Sequence, residues 1–124
     1  MIKNDIDNFT QLKKLSIANL KIIDEILFSN LTDLEDICLS SAGFNDIHVK
    51  AFDNLINLNH LDLSGNNWSK LDILLFENLR NLQVLDLSFN HNLTRIDSGL
   101  FLSLNRLVSL SISRCSLVEI AQNV

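Results

Sequence analysis

A segment that begins with phenylalanine recurs along the chain at a nearly constant interval. It starts at Phe28, Phe52, Phe76 and Phe101, so the period is 24 residues, then 24, then 25. Each copy has leucine three and six positions after its phenylalanine. Self-similarity at such a period is the signature of a repeat architecture, in which one unit cannot bury its apolar face but a stack of units can. The 124-residue chain is therefore predicted to be one array of stacked units.

Alignment of the copies places apolar residues in three columns. Side chains alternate along a strand, so the two outer residues of each Leu-x-Leu triplet face one side and the middle residue faces the other. We expect the triplets to join into a parallel sheet with one buried face, while the rest of each repeat returns along the opposite side. The columns are Leu12, Leu34, Leu58, Leu82 and Leu107; Leu15, Ile37, Leu61, Leu85 and Leu110; and Ile17, Leu39, Leu63, Leu87 and Ile112.

The segment LDILLFENLRNLQVL also admits a helical interpretation. Its apolar residues recur at three- and four-residue spacing, which is typical of an amphipathic helix. That interpretation does not explain residue identity at a period of 24. The array is therefore preferred over a helical architecture.

The stretch LNHLDLSGNNW, residues 58 to 68, matches the pattern LxxLxLxxNxL. The chain thus resembles leucine-rich repeat proteins, and the 24-residue length with its phenylalanine column is similar to the repeat class of Toll-like receptor ectodomains and related extracellular proteins. The resemblance implies an α/β solenoid: an arc with a parallel sheet on the concave face and irregular, 3-10 or short helical segments on the convex face.

The resemblance also implies how residues 1–124 are divided. They would form a single array, with part of a preceding repeat at 1–11 and about five repeats starting near 12, 34, 58, 82 and 107. The last repeat is incomplete and neither end has a cap, so the chain is expected to be a piece of a longer array whose uncapped ends could associate.

The asparagine position of the pattern is filled unevenly. Asn66 and Asn90 match it, and Cys115 is an accepted substitute, whereas Leu20 and Ala42 depart from it. A buried asparagine can satisfy backbone groups where the chain turns. The first two repeats are therefore expected to find other partners or to turn less regularly.

Charge and hydropathy exclude several classes of function. Ten Lys and Arg are scattered among fifteen acids, giving a net charge of −5, which disfavours nucleic-acid binding because phosphates require concentrated basic charge. No window approaches the roughly 18 apolar residues of a membrane span, so this segment is not expected to contact a membrane, although a parent protein could be anchored. The N-terminal MIKNDIDNFT lacks the features of a secretory signal.

Catalytic chemistry is not predicted. His60, Asp62 and Ser64 suggest a triad, but alternate residues on a strand are about 6.6 Å apart, whereas a triad needs hydrogen-bond contact. Asp62 and Asp86 share a column on adjacent strands, where they could attract a cationic partner or form a solvated face. No cofactor, metal or phosphate motif is present. Cys38 and Cys115 lie three repeats apart, beyond disulfide reach, and both are expected to be free thiols.

The outward-facing positions of the predicted sheet are the candidate ligand-binding surface. Phe89 is the most informative of them, because an exposed aromatic side chain often anchors an interface. The alternative is that Phe89 packs over Val84. The candidate residues are Asp36, His60, Asp62, Val84, Asp86, Phe89 and Arg114.

Four N-x-S/T sequons, at Asn8, Asn30, Asn67 and Asn92, are candidate glycosylation sites. They favour an extracellular or cell-surface location as part of a parent protein, with a cytoplasmic location as the alternative. The predicted function is a non-catalytic module of a receptor or secreted recognition protein that binds a protein or other macromolecular ligand on its concave sheet. The alternative is an intracellular scaffold or assembly adaptor built on the same repeats.

Overall fold

The computed structural model describes residues 9–121, and they form a solenoid of short strands joined by turns. The predicted fold is confirmed, and no α-helix occurs in this part of the chain. None of the described residues belongs to a helix with the length and apolar content of a membrane span. The elements are β1 (Lys14–Ser16), β2 (Ile22–Ile23), β3 (Asp36–Cys38), β4 (Asp46–Ile47), β5 (His60–Asp62), β6 (Val84–Asp86), β7 (Arg95–Asp97), a 3-10 helix (Ser98–Phe101), β8 (Ser109–Ser111) and β9 (Glu119–Ala121).

The principal sheet has five parallel strands in the order β1-β3-β5-β6-β8. Its register aligns Leu15, Ile37, Leu61, Leu85 and Leu110, which is the second apolar column of the sequence. The three central members of this column are fully buried, because each strand turns its middle residue towards the core and its flanking residues outwards. The sheet therefore has one apolar inner face and one open outer face.

Stacked aromatic rings fill the opposite side of the core. The Phe28 and Phe52 ring centroids are 6.0 Å apart, and those of Phe52 and Phe76 are 6.4 Å apart. Trp68 stacks on Phe44 at 5.8 Å in a second column. All five rings are almost completely buried, so each repeat is joined to the next by apolar contact as well as by the sheet.

Two additional two-stranded parallel sheets lie on the returning segments, and the sequence did not predict them. One pairs β2 with β4, and the other pairs β7 with β9. The returning segment of the third repeat, which includes residues 69–72, forms no strand. An open groove of about 410 Å³ lies between this segment and β4. The returning side is therefore less regular than the principal sheet.

Candidate binding surface

Two rows of side chains cross the open face of the principal sheet, and we call this surface the outer sheet face. Because the strands are paired in register, residues one repeat apart become direct neighbours. The structure thus brings together Asp36, His60 and Val84 in one row and Asp62 with Asp86 in the other. The full rows are Lys14, Asp36, His60, Val84 and Ser109, and Ser16, Cys38, Asp62, Asp86 and Ser111.

Acids of the second repeat are paired within the chain. The Asp36 carboxylate lies 3.4 Å from Lys14 Nζ and 3.5 Å from His60 Nδ1. Glu35 accepts a hydrogen bond from Lys13 Nζ at 2.7 Å, and this bond, together with the charge of Glu35, raises the pKa of the Lys13 ammonium group. Exposed ion pairs of this kind contribute little to stability. Their main effect is to neutralise the N-terminal part of the outer sheet face.

Asp62 and Asp86 have a different environment, because each is bonded to the serine two positions later. Asp62 Oδ1 accepts hydrogen bonds from the backbone N–H of Ser64 at 2.9 Å and from its hydroxyl at 2.6 Å. Asp86 and Ser88 repeat the arrangement at 2.8 and 2.5 Å. Within residues 9–121 neither carboxylate has a cationic partner. These two aspartates fix the turn out of the strand.

The suspected triad is not formed. His60 pairs with Asp36 on the preceding strand, whereas Ser64 donates its hydroxyl to Asp62. Serine and histidine thus have separate partners, and the arrangement has no proton path from a serine nucleophile to an imidazole base.

The turn after each principal strand requires a left-handed backbone at one position. In the five repeats this position is occupied in turn by Asn19, Ser41, Gly65, Phe89 and Arg114, whose φ angles are 64°, 50°, 67°, 61° and 55°. Only one of the five is glycine, and a Cβ there would lie 2.6 Å from Ser41 Oγ. A residue with a Cβ loses roughly 1–2 kcal/mol in this conformation, and a bulky side chain is unusual there. Phe89 and Arg114 are therefore held in strained turns.

Phe89 and Arg114 also form a stacked pair. The guanidinium carbon of Arg114 lies 5.5 Å from the centroid of the Phe89 ring, which is a cation–π contact. The Phe89 side chain is still 47% exposed, and Arg114 is exposed as well. The ring partner of Phe89 is thus the arginine of the next repeat. The sequence did indicate the turn, since asparagine and glycine occupy the equivalent positions, but it did not reveal the pair.

Buried asparagines connect the turns of successive repeats. Asn66 Nδ2 donates to the carbonyl of Leu39 at 2.9 Å and to that of Leu63 at 3.0 Å. Asn66 Oδ1 accepts from the backbone N–H of Phe44 at 3.2 Å. The second repeat, which has Ala42 at this position, therefore receives its turn bonds from the third repeat.

Asn90 makes a similar set of bonds one repeat later. Asn90 Nδ2 donates to the carbonyls of Leu63 and Leu87, at 3.1 and 2.7 Å, and Asn90 Oδ1 accepts from the backbone N–H of Asn66 at 3.0 Å. Cys115 Sγ then donates to the carbonyl of Leu87 at 3.2 Å. The thiol thus makes one of the contacts that asparagine makes in the two preceding repeats.

A second asparagine series, which the sequence analysis missed, lies where the returning segments enter the sheet. Asn57 Nδ2 donates to the carbonyl of Thr32 at 3.0 Å, and Asn81 Nδ2 to that of Ile56 at 2.8 Å. Arg106 then donates to Asn81 Oδ1 at 3.0 Å. These side chains line an open polar groove of about 470 Å³, but their polar groups are largely occupied in linking repeats.

The remaining candidate positions lie apart from the outer sheet face, with one exception. Asn30, Asn67 and Asn92 are exposed, whereas Asn8 lies outside the described residues. Asn67 Nδ2 donates to Asn45 Oδ1 at 3.3 Å. The exception is Cys38, which lies on the face; it and Cys115 are free thiols, as expected.

Solved structures with this geometry have been described. A TLR13–ssRNA13 complex superposes with a TM-score of 0.80 and 29% identity over 97% of this chain and 17% of that one. An internalin, InlF of Listeria monocytogenes, superposes with a TM-score of 0.66 and 25% identity, over 94% of this chain and 36% of that one. The ectodomain of the receptor kinase SOBIR1 from Arabidopsis thaliana shares the fold, with a TM-score of 0.65 and 23% identity over 96% of this chain and 64% of that one. The chain thus spans only part of each of these proteins.

The sequence gives the same assignment independently of the coordinates. The profile of the BspA-type leucine-rich repeat region matches residues 2–124 in six copies, although no curated protein matches significantly. Members of this fold are typically binding domains without catalysis. With its repeated apolar columns, five-stranded parallel sheet and asparagine-linked turns, the chain belongs to the leucine-rich repeat family.

Proposed function

We propose that the chain is a recognition segment of a receptor or secreted protein and that it binds a protein ligand on its outer sheet face. The observation that carries this proposal is the exposed Phe89–Arg114 pair in two strained turns. Strained backbone at exposed positions often marks a functional site, and aromatic and arginine side chains dominate interface energetics. The proposed contact residues are Asp36, His60, Asp62, Val84, Asp86, Phe89 and Arg114.

The charge of the outer sheet face favours a protein over a nucleic acid. Asp62 and Asp86 are adjacent and lack a cationic partner among the described residues, so they repel phosphates and attract lysine or arginine side chains. The TLR13 structure contains ssRNA13, but that ligand belongs to that protein. In this chain the net charge of −5 opposes the same role.

The proposed location of the parent protein is extracellular or at the cell surface. Three exposed sequons support it, as do the receptor and internalin structures that share the fold. The repeat boundaries near 12, 34, 58, 82 and 107 remain part of this proposal. An intracellular scaffold is the competing function.

Photo-crosslinking tests the proposed binding surface. A benzophenone amino acid replaces Phe89, or in the control Ile73, which is 43% exposed on the returning segment of its repeat. Position 89 is expected to capture a protein that position 73 does not. The captured protein is then purified, and its Kd is measured for the wild type, Phe89→Gly and Phe89→Ala by calorimetry.

Both variants should weaken binding at least about tenfold, since loss of an aromatic hot spot costs 2 kcal/mol or more. Phe89→Gly should nevertheless be more stable than Phe89→Ala by about 1 kcal/mol, because glycine adopts φ of 61° without strain. Loss of binding in Phe89→Gly, whose turn is free of this strain, is therefore due to the missing ring and not to a distorted turn. Capture from position 73 alone, or a Kd unchanged in both variants, would contradict the proposal.

Glycosylation tests the location. When the chain is secreted behind a heterologous signal sequence, glycans are expected at the exposed Asn30, Asn67 and Asn92. Intact mass before and after peptide N-glycosidase treatment measures their number, and Asn67→Gln and Asn92→Gln should each remove one. The matched control is Asn45→Gln, an exposed asparagine outside any sequon. A secreted chain without glycans would favour the scaffold alternative.

A further inference from the structure

We infer that the C-terminal part of the outer sheet face binds a carboxylate that lies beside an apolar side chain of the ligand. This inference rests on the proposed function and gives the chemistry of one of its contacts. The surface is formed by Ser109, Ser111, Ser113 and Arg114, together with Phe89, and we call it the serine–arginine corner. The ligand residue it fits is an aspartate or glutamate next to a leucine-like residue.

The serine–arginine corner offers hydrogen-bond donors that the described part of the chain does not use. Within residues 9–121, Arg114 makes the stacking contact with Phe89 but has no carboxylate or carbonyl partner, and the three serine hydroxyls have no acceptor there. By contrast, Ser64 and Ser88 donate to aspartates in the equivalent turns. The fifth repeat has Ser111 where those repeats have aspartate, so its turn lacks the internal acceptor.

Arg114 is also oriented in advance. Its guanidinium group stacks on Phe89, which limits the rotamers of a side chain that would otherwise lose considerable entropy on binding. A guanidinium group binds a carboxylate through two parallel hydrogen bonds, and its planar faces remain free for stacking. The pair can therefore hold its cation–π contact and bind an anion at the same time.

The surroundings select a single carboxylate rather than a polyanion. Asp86 lies on the neighbouring strand, directly opposite Ser111, and would repel a chain of phosphates. A peptide carboxylate avoids this repulsion when a nearby lysine or arginine of the ligand lies over Asp86 and Asp62. The Phe89 ring, which is 47% exposed, offers apolar contact to the residue beside the carboxylate.

An NMR titration tests the inference with small probes. N-acetyl-leucine carries a carboxylate beside an apolar side chain, and N-acetyl-leucinamide is its neutral counterpart. The carboxylate is expected to shift the Arg114 Nε–Hε resonance of the full chain saturably at millimolar concentration, and the amide is expected to shift it at least about tenfold less. Arg114→Gln should abolish the remaining backbone shifts of Ser111 and Ser113. Arg106→Gln is the matched control, because Arg106 already donates to Asn81 and lies outside the corner.

Three outcomes would overturn the inference: equal shifts from both probes, shifts that persist in Arg114→Gln, or tighter saturation by inorganic phosphate or a short oligouridylate than by N-acetyl-leucine. Each of them can occur while photo-crosslinking at position 89 still captures a protein. In that case the outer sheet face binds its ligand through other chemistry, and the proposed function is retained.

Discussion

Replacement of Asn66 by alanine is expected to lower the free energy of unfolding by about 3–5 kcal/mol. The Asn66 side chain is 3% exposed and bonds the carbonyls of Leu39 and Leu63 and the backbone N–H of Phe44. Alanine would leave the Leu39 carbonyl and the Phe44 N–H without these partners, whereas the Leu63 carbonyl keeps its bond from Asn90. Each unsatisfied buried group costs about 1–3 kcal/mol. The loss reaches two repeats at once, because the bonded groups belong to both.

Urea denaturation followed by circular dichroism measures this change. The matched control is Asn67→Ala, which replaces an exposed neighbour with only one long side-chain hydrogen bond, of 3.3 Å, and should change stability by less than about 0.5 kcal/mol. Similar losses in the two variants would show that the buried hydrogen bonds of Asn66 do not stabilise the array.

Phe52→Ala is the second variant with a large expected effect, a loss of about 3–5 kcal/mol. Phe52 is fully buried between the rings of Phe28 and Phe76, at 6.0 and 6.4 Å. Alanine would leave a cavity in the middle of the stack, where neither neighbour can move inwards without losing its own contacts. The interfaces of the second repeat with the first and third repeats are expected to weaken.

Hydrogen exchange locates that weakening, and thermal unfolding gives its size. Backbone amides of β1, β3 and β5 should exchange faster in Phe52→Ala than in the wild type. Ile56→Ala is the control, since Ile56 is 55% exposed four residues away and its truncation should leave exchange nearly unchanged. If exchange rose only within residues 52–58, the aromatic stack would not couple the repeats.

The fold could be predicted because its determinants recur. One apolar triplet is ambiguous between strand and helix, but five triplets at one period fix the sheet and its register, and the structure pairs Leu61 with Leu85 as the column requires. The free state of both cysteines followed from the same spacing, since Cys38 and Cys115 are three strands apart.

The other features of the structure depend on backbone and side-chain geometry that residue identities alone do not specify. The strain at Phe89 arises from its positive φ angle, which the residue type does not indicate. The pairing of Asp62 with Ser64 arises from a turn that brings residues two apart into contact, whereas alternation on a flat strand predicts separation. The strands on the returning side were not predicted, because each has only two or three residues, too few to show the alternation that identifies a strand.

The asparagine bonds bear on how an array of this kind changes length during evolution. Each buried asparagine donates to a carbonyl of the repeat before it, and the acceptors, Leu39 and Leu63, are equivalent atoms in successive units. Excision or duplication of one whole unit by recombination would again place a donor opposite an equivalent acceptor. When the unit carries asparagine at this position, the new junction has the same hydrogen bond as those made by Asn66 and Asn90. Duplication or deletion of a segment that encodes one repeat can therefore change the length of the array by one repeat without requiring a new kind of interface.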